Sequence, residues 1–181
     1  MINSPKEDIK KLLISIPDIE DKETIELFEL INFLNKEGCY LTKELLIKIL
    51  KWKSARPLRH YEANSEDEVR QITALAFAIK SDKLKIHVLT ALNGVSFATA
   101  SAILMFYDKT KFPVLDIRVW QQLYKVNLVK TNPEGNNFNL NEWETYLSII
   151  RNLASELNIT ARQVEKRLFD YDRLTRTDNL Y

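Results

Sequence analysis

Cysteine occurs once in this chain of 181 residues, at Cys39, histidine twice and glycine three times. A lone cysteine excludes an internal disulfide and any cluster that needs four thiolate ligands. With His60 and His87 as the sole imidazoles, no dedicated zinc or other metal site is expected. Both histidines read as surface or packed side chains. The apolar runs fall well short of the ~20 residues needed to cross a bilayer. The opening residues also lack the basic, apolar and small-residue order of a secretory signal. The expectation is a cytoplasmic protein without membrane association.

Scarce too are the residues that break helices, with three glycines and five prolines in the whole chain. Leucine, isoleucine, lysine and glutamate recur throughout, which points to an all-α fold without an internal repeat or linker. Start signals agree with that reading. Ser4-Pro5 with Glu7 opens a first helix, Thr42 a third, Ser65 with Glu68 another, and Thr160 with Gln163 the last. A second helix spans 24–35 with Ile25, Phe28, Leu30, Ile31 and Leu34 inward, stopped by Gly38. Helix 66–79 points Val69, Ile72, Leu75, Ala76 and Ile79 inward. Asn141 with Glu144 begins an amphipathic helix reaching Leu157. Residues 52–61 read as an irregular connector, and the tail from Arg173 as frayed.

Net charge is only +1, which by itself gives no reason to expect nucleic-acid binding. Its distribution does. Residues 1–37 hold nine acidic and five basic side chains, whereas 43–60 hold Lys43, Lys48, Lys51, Lys53, Arg56 and Arg59 against Glu44. Residues 80–130 hold eight basic and three acidic side chains. These two segments either lie against a phosphate backbone or form solvated helical faces.

One glycine stands in Leu92-Asn93-Gly94-Val95-Ser96-Phe97-Ala98-Thr99-Ala100, between an arm over 83–92 and a second over 98–107. A glycine there frees the backbone for positive φ, and the helix start that follows leaves amide N–H groups without intrahelical partners. Such a turn suits a phosphate. Downstream, Pro113-Val114-Leu115-Asp116-Ile117-Arg118-Val119-Trp120 brings an aspartate to a helix start. Together, and in register, the two segments resemble the helix-hairpin-helix DNA glycosylase superfamily, the endonuclease III and 3-methyladenine glycosylase-like enzymes. The hairpin matches its Leu-Pro-Gly-Val-Gly pattern, with Asn93 in place of proline and Ser96 in place of the second glycine. Asp116 falls on the aspartate of its Pro-Val-x-Asp-x-x-Val segment.

The resemblance implies a two-lobed helical bundle with a helix-hairpin-helix motif and a cleft between lobes. On that template the chain is one domain, 1–181, with residues 1–60 and 132–172 as an outer lobe and 65–130 as the hairpin-bearing lobe. It implies double-stranded DNA as partner and backbone contacts from Gly94, Ser96 and Ala98. A monovalent cation on hairpin carbonyls is implied as well, with no other cofactor. Lys109, Lys111 and Arg118 are candidate phosphate contacts, Arg118 being equally readable as an exposed side chain. Ala98 stands where the bifunctional members carry a lysine, so the implied product is an abasic site in an intact strand.

Asp116 is the catalytic candidate, because a carboxylate near the anomeric carbon stabilises the cationic state formed as a base departs. Aspartate also caps helices in any protein, and both roles stay open. Trp52, Tyr61 and Trp120 are candidate walls for an extruded base, with Trp120 also reading as core at helical spacing. A hairpin module that binds DNA or a partner without catalysis is the alternative function.

Overall fold

The computed structural model describes residues 5–34, 39–177 and 180. Among them are ten helices and no strand, so the all-α expectation holds. The chain forms two compact units, one from Glu20–Lys109 and the other from Met1–Ile19 with Thr110–Tyr181. The lobes drawn from the sequence divide the chain elsewhere. The N-terminal helix packs in the same unit as the C-terminal ones, a pairing without local signal.

The unit Glu20–Lys109 contains α2 (Lys22–Leu34), α3 (Lys43–Lys53), α4 (Leu58–Glu62), α5 (Glu66–Ala78), α6 (Asp82–Leu89) and α7 (Phe97–Tyr107). Its axis is α7, which carries no charged residue and is buried without interruption from Thr99 to Phe106. A helix apolar on every side must be enclosed, and α2, α3 and α6 all pack on it. Ala100, Ser101 and Ala102 let those neighbours approach closely. Thr42 and Ser65 cap α3 and α5 as expected. The proposed cap Ser4 and stop Gly38 lie outside the described residues.

Three details of this unit depart from the pattern read in the sequence. In α2 the inward residues are Thr24, Leu27 and Ile31, while Ile25 and Leu30 are exposed. Thr24 is tolerated inside because its hydroxyl donates to Asp21 Oδ2 at 2.8 Å and accepts from Trp52 Nε1 at 3.0 Å. In α5 Leu75 is exposed, and Thr73 takes an inward place by donating to the Val69 carbonyl at 2.7 Å and accepting from Leu41 N at 2.9 Å. The connector 52–61 contains the short α4, anchored by the fully buried Tyr61.

Lys85, on α6, is buried and donates to the carbonyls of Ala76 at 3.1 Å and Phe77 at 2.8 Å. Those carbonyls end α5, where no further turn supplies N–H partners and a cation is favoured. The contact ties the first arm of the hairpin to the helix before it.

The other unit contains α1 (Pro5–Ser15), α8 (Ile117–Lys125), α9 (Leu140–Leu157) and α10 (Ala161–Thr175). α10 packs on α8, α9 and α1. Arg167 Nη1 donates to the Leu13 carbonyl at 3.0 Å, and Lys6 and Lys10 pair with Glu156. α9 starts two residues earlier than expected, with Asn139 and Glu142 as the capping box, because Asn139 Oδ1 reaches the N–H groups of both Asn141 and Glu142. α10 continues to Thr175, beyond the predicted fraying point.

With so little glycine, asparagine takes most left-handed positions among the described residues: Asn127, Asn132, Asn137 and Asn158 have positive φ, a conformation its short polar side chain tolerates. Asn132 also fixes the turn over α8. Its Oδ1 accepts from Gly135 N at 3.1 Å, and its carbonyl accepts from Trp120 Nε1 at 2.8 Å.

Candidate nucleic-acid interface and candidate catalytic carboxylate

α6 ends at Leu89, and the chain reverses through Thr90–Val95 before Ser96 caps α7. Val95 N donates to the Leu92 carbonyl at 3.1 Å, closing a turn with Gly94 at its third position and φ +79°. A β-carbon at Gly94 would lie 2.8 Å from His60 Cβ and 3.0 Å from the Tyr61 ring. Glycine is therefore required twice over, by the dihedral and by the approach to α4.

The group that holds this turn carries no local sequence signature. Asn64, 2% exposed, donates from Nδ2 to the Asn93 carbonyl at 3.1 Å and accepts at Oδ1 from Asn93 N at 2.7 Å. The same Nδ2 reaches the Tyr61 carbonyl at 3.0 Å. One buried amide thus joins the hairpin to the end of α4, bonding as a strand neighbour would.

Ser96, expected to offer its N–H to a phosphate, is engaged otherwise. Its N–H donates to Thr99 Oγ1 at 2.8 Å in a capping box with Ser96 Oγ. Of the other two residues expected to offer main chain to a phosphate, Gly94 is exposed and Ala98 half-buried. Residues 90–97 hold no acidic side chain, so a cation here would meet main-chain oxygens and hydroxyls. Such a neutral set suits a monovalent ion, and the Leu92 and Asn93 carbonyls each already accept one hydrogen bond. No group of three His, Cys, Asp or Glu side chains among the described residues could hold a metal ion.

In the other unit, Phe112–Asp116 is buried yet belongs to no helix. Backbone buried outside regular structure needs other partners, and side chains provide them. Tyr146 Oη donates to the Val114 carbonyl at 2.8 Å, Val114 N donates to Glu165 Oε2 at 3.4 Å, and Arg151 Nε donates to the Lys111 carbonyl at 2.7 Å. Burial, then the charges of Glu165 and Asp116, pushes the Tyr146 hydroxyl well above its ordinary pKa, so it remains a donor. Glu165 pairs with the buried Arg162 at 2.5 Å. The segment ends at Asp116, which is 9% exposed and caps α8 by accepting from Arg118 N at 2.9 Å.

Arg118 is not a free phosphate contact. Its Nη1 donates to Asp172 Oδ2 at 3.0 Å, and Arg176 grips the same carboxylate from Nε at 2.7 Å and Nη2 at 2.8 Å. Gln122 Nε2 donates to Asp172 Oδ1 at 2.6 Å. Burial pushes the Asp172 carboxyl up, but hydrogen bonds from Arg176, Gln122 and Arg118 outweigh it and hold the group below its usual value. A depressed carboxylate stabilises the fold fully above its unfolded pKa, and that stability is lost as pH falls through the folded value. Asp172→Asn should cost about 2 kcal/mol at pH 7. Thermal melts should show the gap from wild type closing in acid.

Of the expected pocket walls, Tyr61 and Trp120 are fully buried. Tyr61 Oη donates to the Ser54 carbonyl at 3.2 Å, and Trp120 packs edge-on against Phe138 at 5.1 Å. Their large rings fill cores, which for Trp120 is the packing role read at helical spacing. Trp52 is half-buried, edge-on to Phe106 at 5.0 Å. Lys109 and Lys111 are exposed, with Lys109 Nζ 4.8 Å above the Phe28 ring. No described helix is long and apolar enough to cross a membrane.

No family model matches the chain, and no curated protein matches it. Among solved structures it is similar to the crystal structure of Methanocaldococcus jannaschii 8-oxoguanine glycosylase/lyase in complex with 15mer DNA containing 8-oxoguanine. The TM-score is 0.50 at 16% identity, covering 98% of this chain and 85% of that chain. At this identity the likeness shows a shared helical fold.

Proposed function

We propose that this protein is a monofunctional DNA glycosylase that hydrolyses the N-glycosidic bond of a modified or mispaired base in duplex DNA. The observation that carries the reading is the joint presence of a glycine-dependent hairpin turn and a helix-capping Asp116, in a chain with the fold of a glycosylase/lyase solved on DNA. On this reading Gly94 and Ala98 hold a phosphate through main-chain N–H groups, with Lys109 and Lys111 adding charge. As the bond breaks, its electron pair leaves with the base and positive charge develops at the sugar carbon. The Asp116 carboxylate stabilises that charge and accepts a proton from the attacking water. Ala98 cannot form an imine, so the strand stays intact.

A panel of duplexes bearing alkylated, oxidised, deaminated or bulky bases tests this. The expected result is base release from one class, with strand scission appearing only after alkali. Scission without alkali would contradict the monofunctional assignment, and a panel left wholly unprocessed would overturn catalysis. The second reading, a DNA-binding module without catalysis, is favoured by one observation: Asp116 is almost entirely buried and already serves as a cap.

A further inference from the structure

α4 and the hairpin turn are one structural piece. Gly94 approaches His60 and Tyr61 too closely for a β-carbon, and Asn64 bonds Asn93 on one side and the Tyr61 carbonyl on the other. Tyr61 points into the core, which leaves Arg59 and His60 exposed beside the exposed Asn93 and Gly94. Arg59 Nε lies 3.5 Å from His60 Nε2, and neither side chain makes an ion pair with a described acidic group. Around them, Lys51, Lys53, Arg56 and Arg59 stand against Glu62 alone across residues 51–62.

Here a guanidinium and an imidazole project together, next to a turn that holds no acidic side chain. The flexible tips can move, but the root of His60 is fixed by its approach to Gly94. The occupant that matches is an extended polyanion lying across both elements, since a single small anion would not use both the Arg59–His60 pair and the exposed Lys51.

We infer that α4 and the hairpin turn form a single surface for the sugar-phosphate backbone of DNA, with Arg59 and His60 supplying side-chain contacts to phosphate beside the turn. This rests on the DNA-binding part of the proposed function and does not require Asp116 to be catalytic. It extends the phosphate track beyond the hairpin to an element that carries no glycine signature.

The test compares wild type with the double variant Arg59→Gln, His60→Gln in duplex binding by fluorescence anisotropy, from roughly 50 to 200 mM salt. Loss of two phosphate contacts should weaken binding about tenfold at the lower salt and flatten the log–log salt dependence by about one to two. The variant should melt with wild type, because both side chains are exposed. Arg59→Lys should restore most of the slope. Unchanged affinity and slope in the double variant, or a wild type that binds no duplex, would overturn the inference. Base release is measured in parallel. A wild type that binds with the full slope but releases no base defeats the catalytic reading alone, and active enzyme with an unchanged variant slope defeats this inference alone.

Discussion

Replacing Asp116 with asparagine will lower base release by on the order of 10²–10³-fold while leaving the melting temperature and duplex affinity near those of wild type. The substitution separates two roles held by one side chain. Asparagine caps helices about as well as aspartate, and its amide oxygen can keep the 2.9 Å bond from Arg118 N. What disappears is the negative charge. Asp116→Ala removes the cap as well and should cost about 1 kcal/mol of stability in addition. Single-turnover release from the duplex that wild type processes is the measurement. Equal rates for wild type and Asp116→Asn would reduce Asp116 to a cap.

Gly94→Ala is the second large effect. At φ +79° an L side chain is strained, and the new β-carbon would meet His60 Cβ at 2.8 Å, an atom close to the main chain that cannot swing aside. Strain and overpacking together should cost about 2–4 kcal/mol, a fall of roughly 5–15 °C in melting temperature for a chain of this size. Duplex binding should drop with it. Gly135→Ala is the comparison. Its φ is +66°, but the nearest atom is Trp120 Cδ1 at 3.1 Å, so the loss should be smaller. Differential scanning fluorimetry would show the order; Gly94→Ala melting within about 2 °C of wild type would contradict the packing described.

Local chemistry in the sequence marked most helix starts. Thr42, Ser65 with Glu68, and Thr160 with Gln163 act within four residues, and each caps as read. Asn139 and Asn141 both lie three residues before a glutamate, and the pattern alone cannot rank them. The inward faces were harder. Ile25, Leu30 and Leu75 satisfy helical periodicity yet point outward, since Thr24 and Thr73 bring hydroxyl partners from distant segments.

The candidate site divides in the same way. Gly94 and Asp116 announce themselves through residue type and neighbours. Asn64, Tyr146 and Glu165 do not, because each acts on main chain 29 to 51 residues away. A buried lysine such as Lys85 is equally silent, since a lysine beside Leu84 and Ile86 reads as surface until the end of α5 is placed beneath it. Trp120 was legible both ways, and burial decides for packing.

The Asn64 clamp also accounts for a departure at the hairpin tip. The resembling enzymes usually carry proline at the position of Asn93, whose ring fixes φ without any partner. Here the amide hydrogen that proline lacks is the one bound by Asn64 Oδ1. In this chain a tertiary hydrogen bond, not a covalent ring, stiffens the tip. Introducing proline at position 93 would strand a buried oxygen, so positions 64 and 93 are expected to change together or not at all.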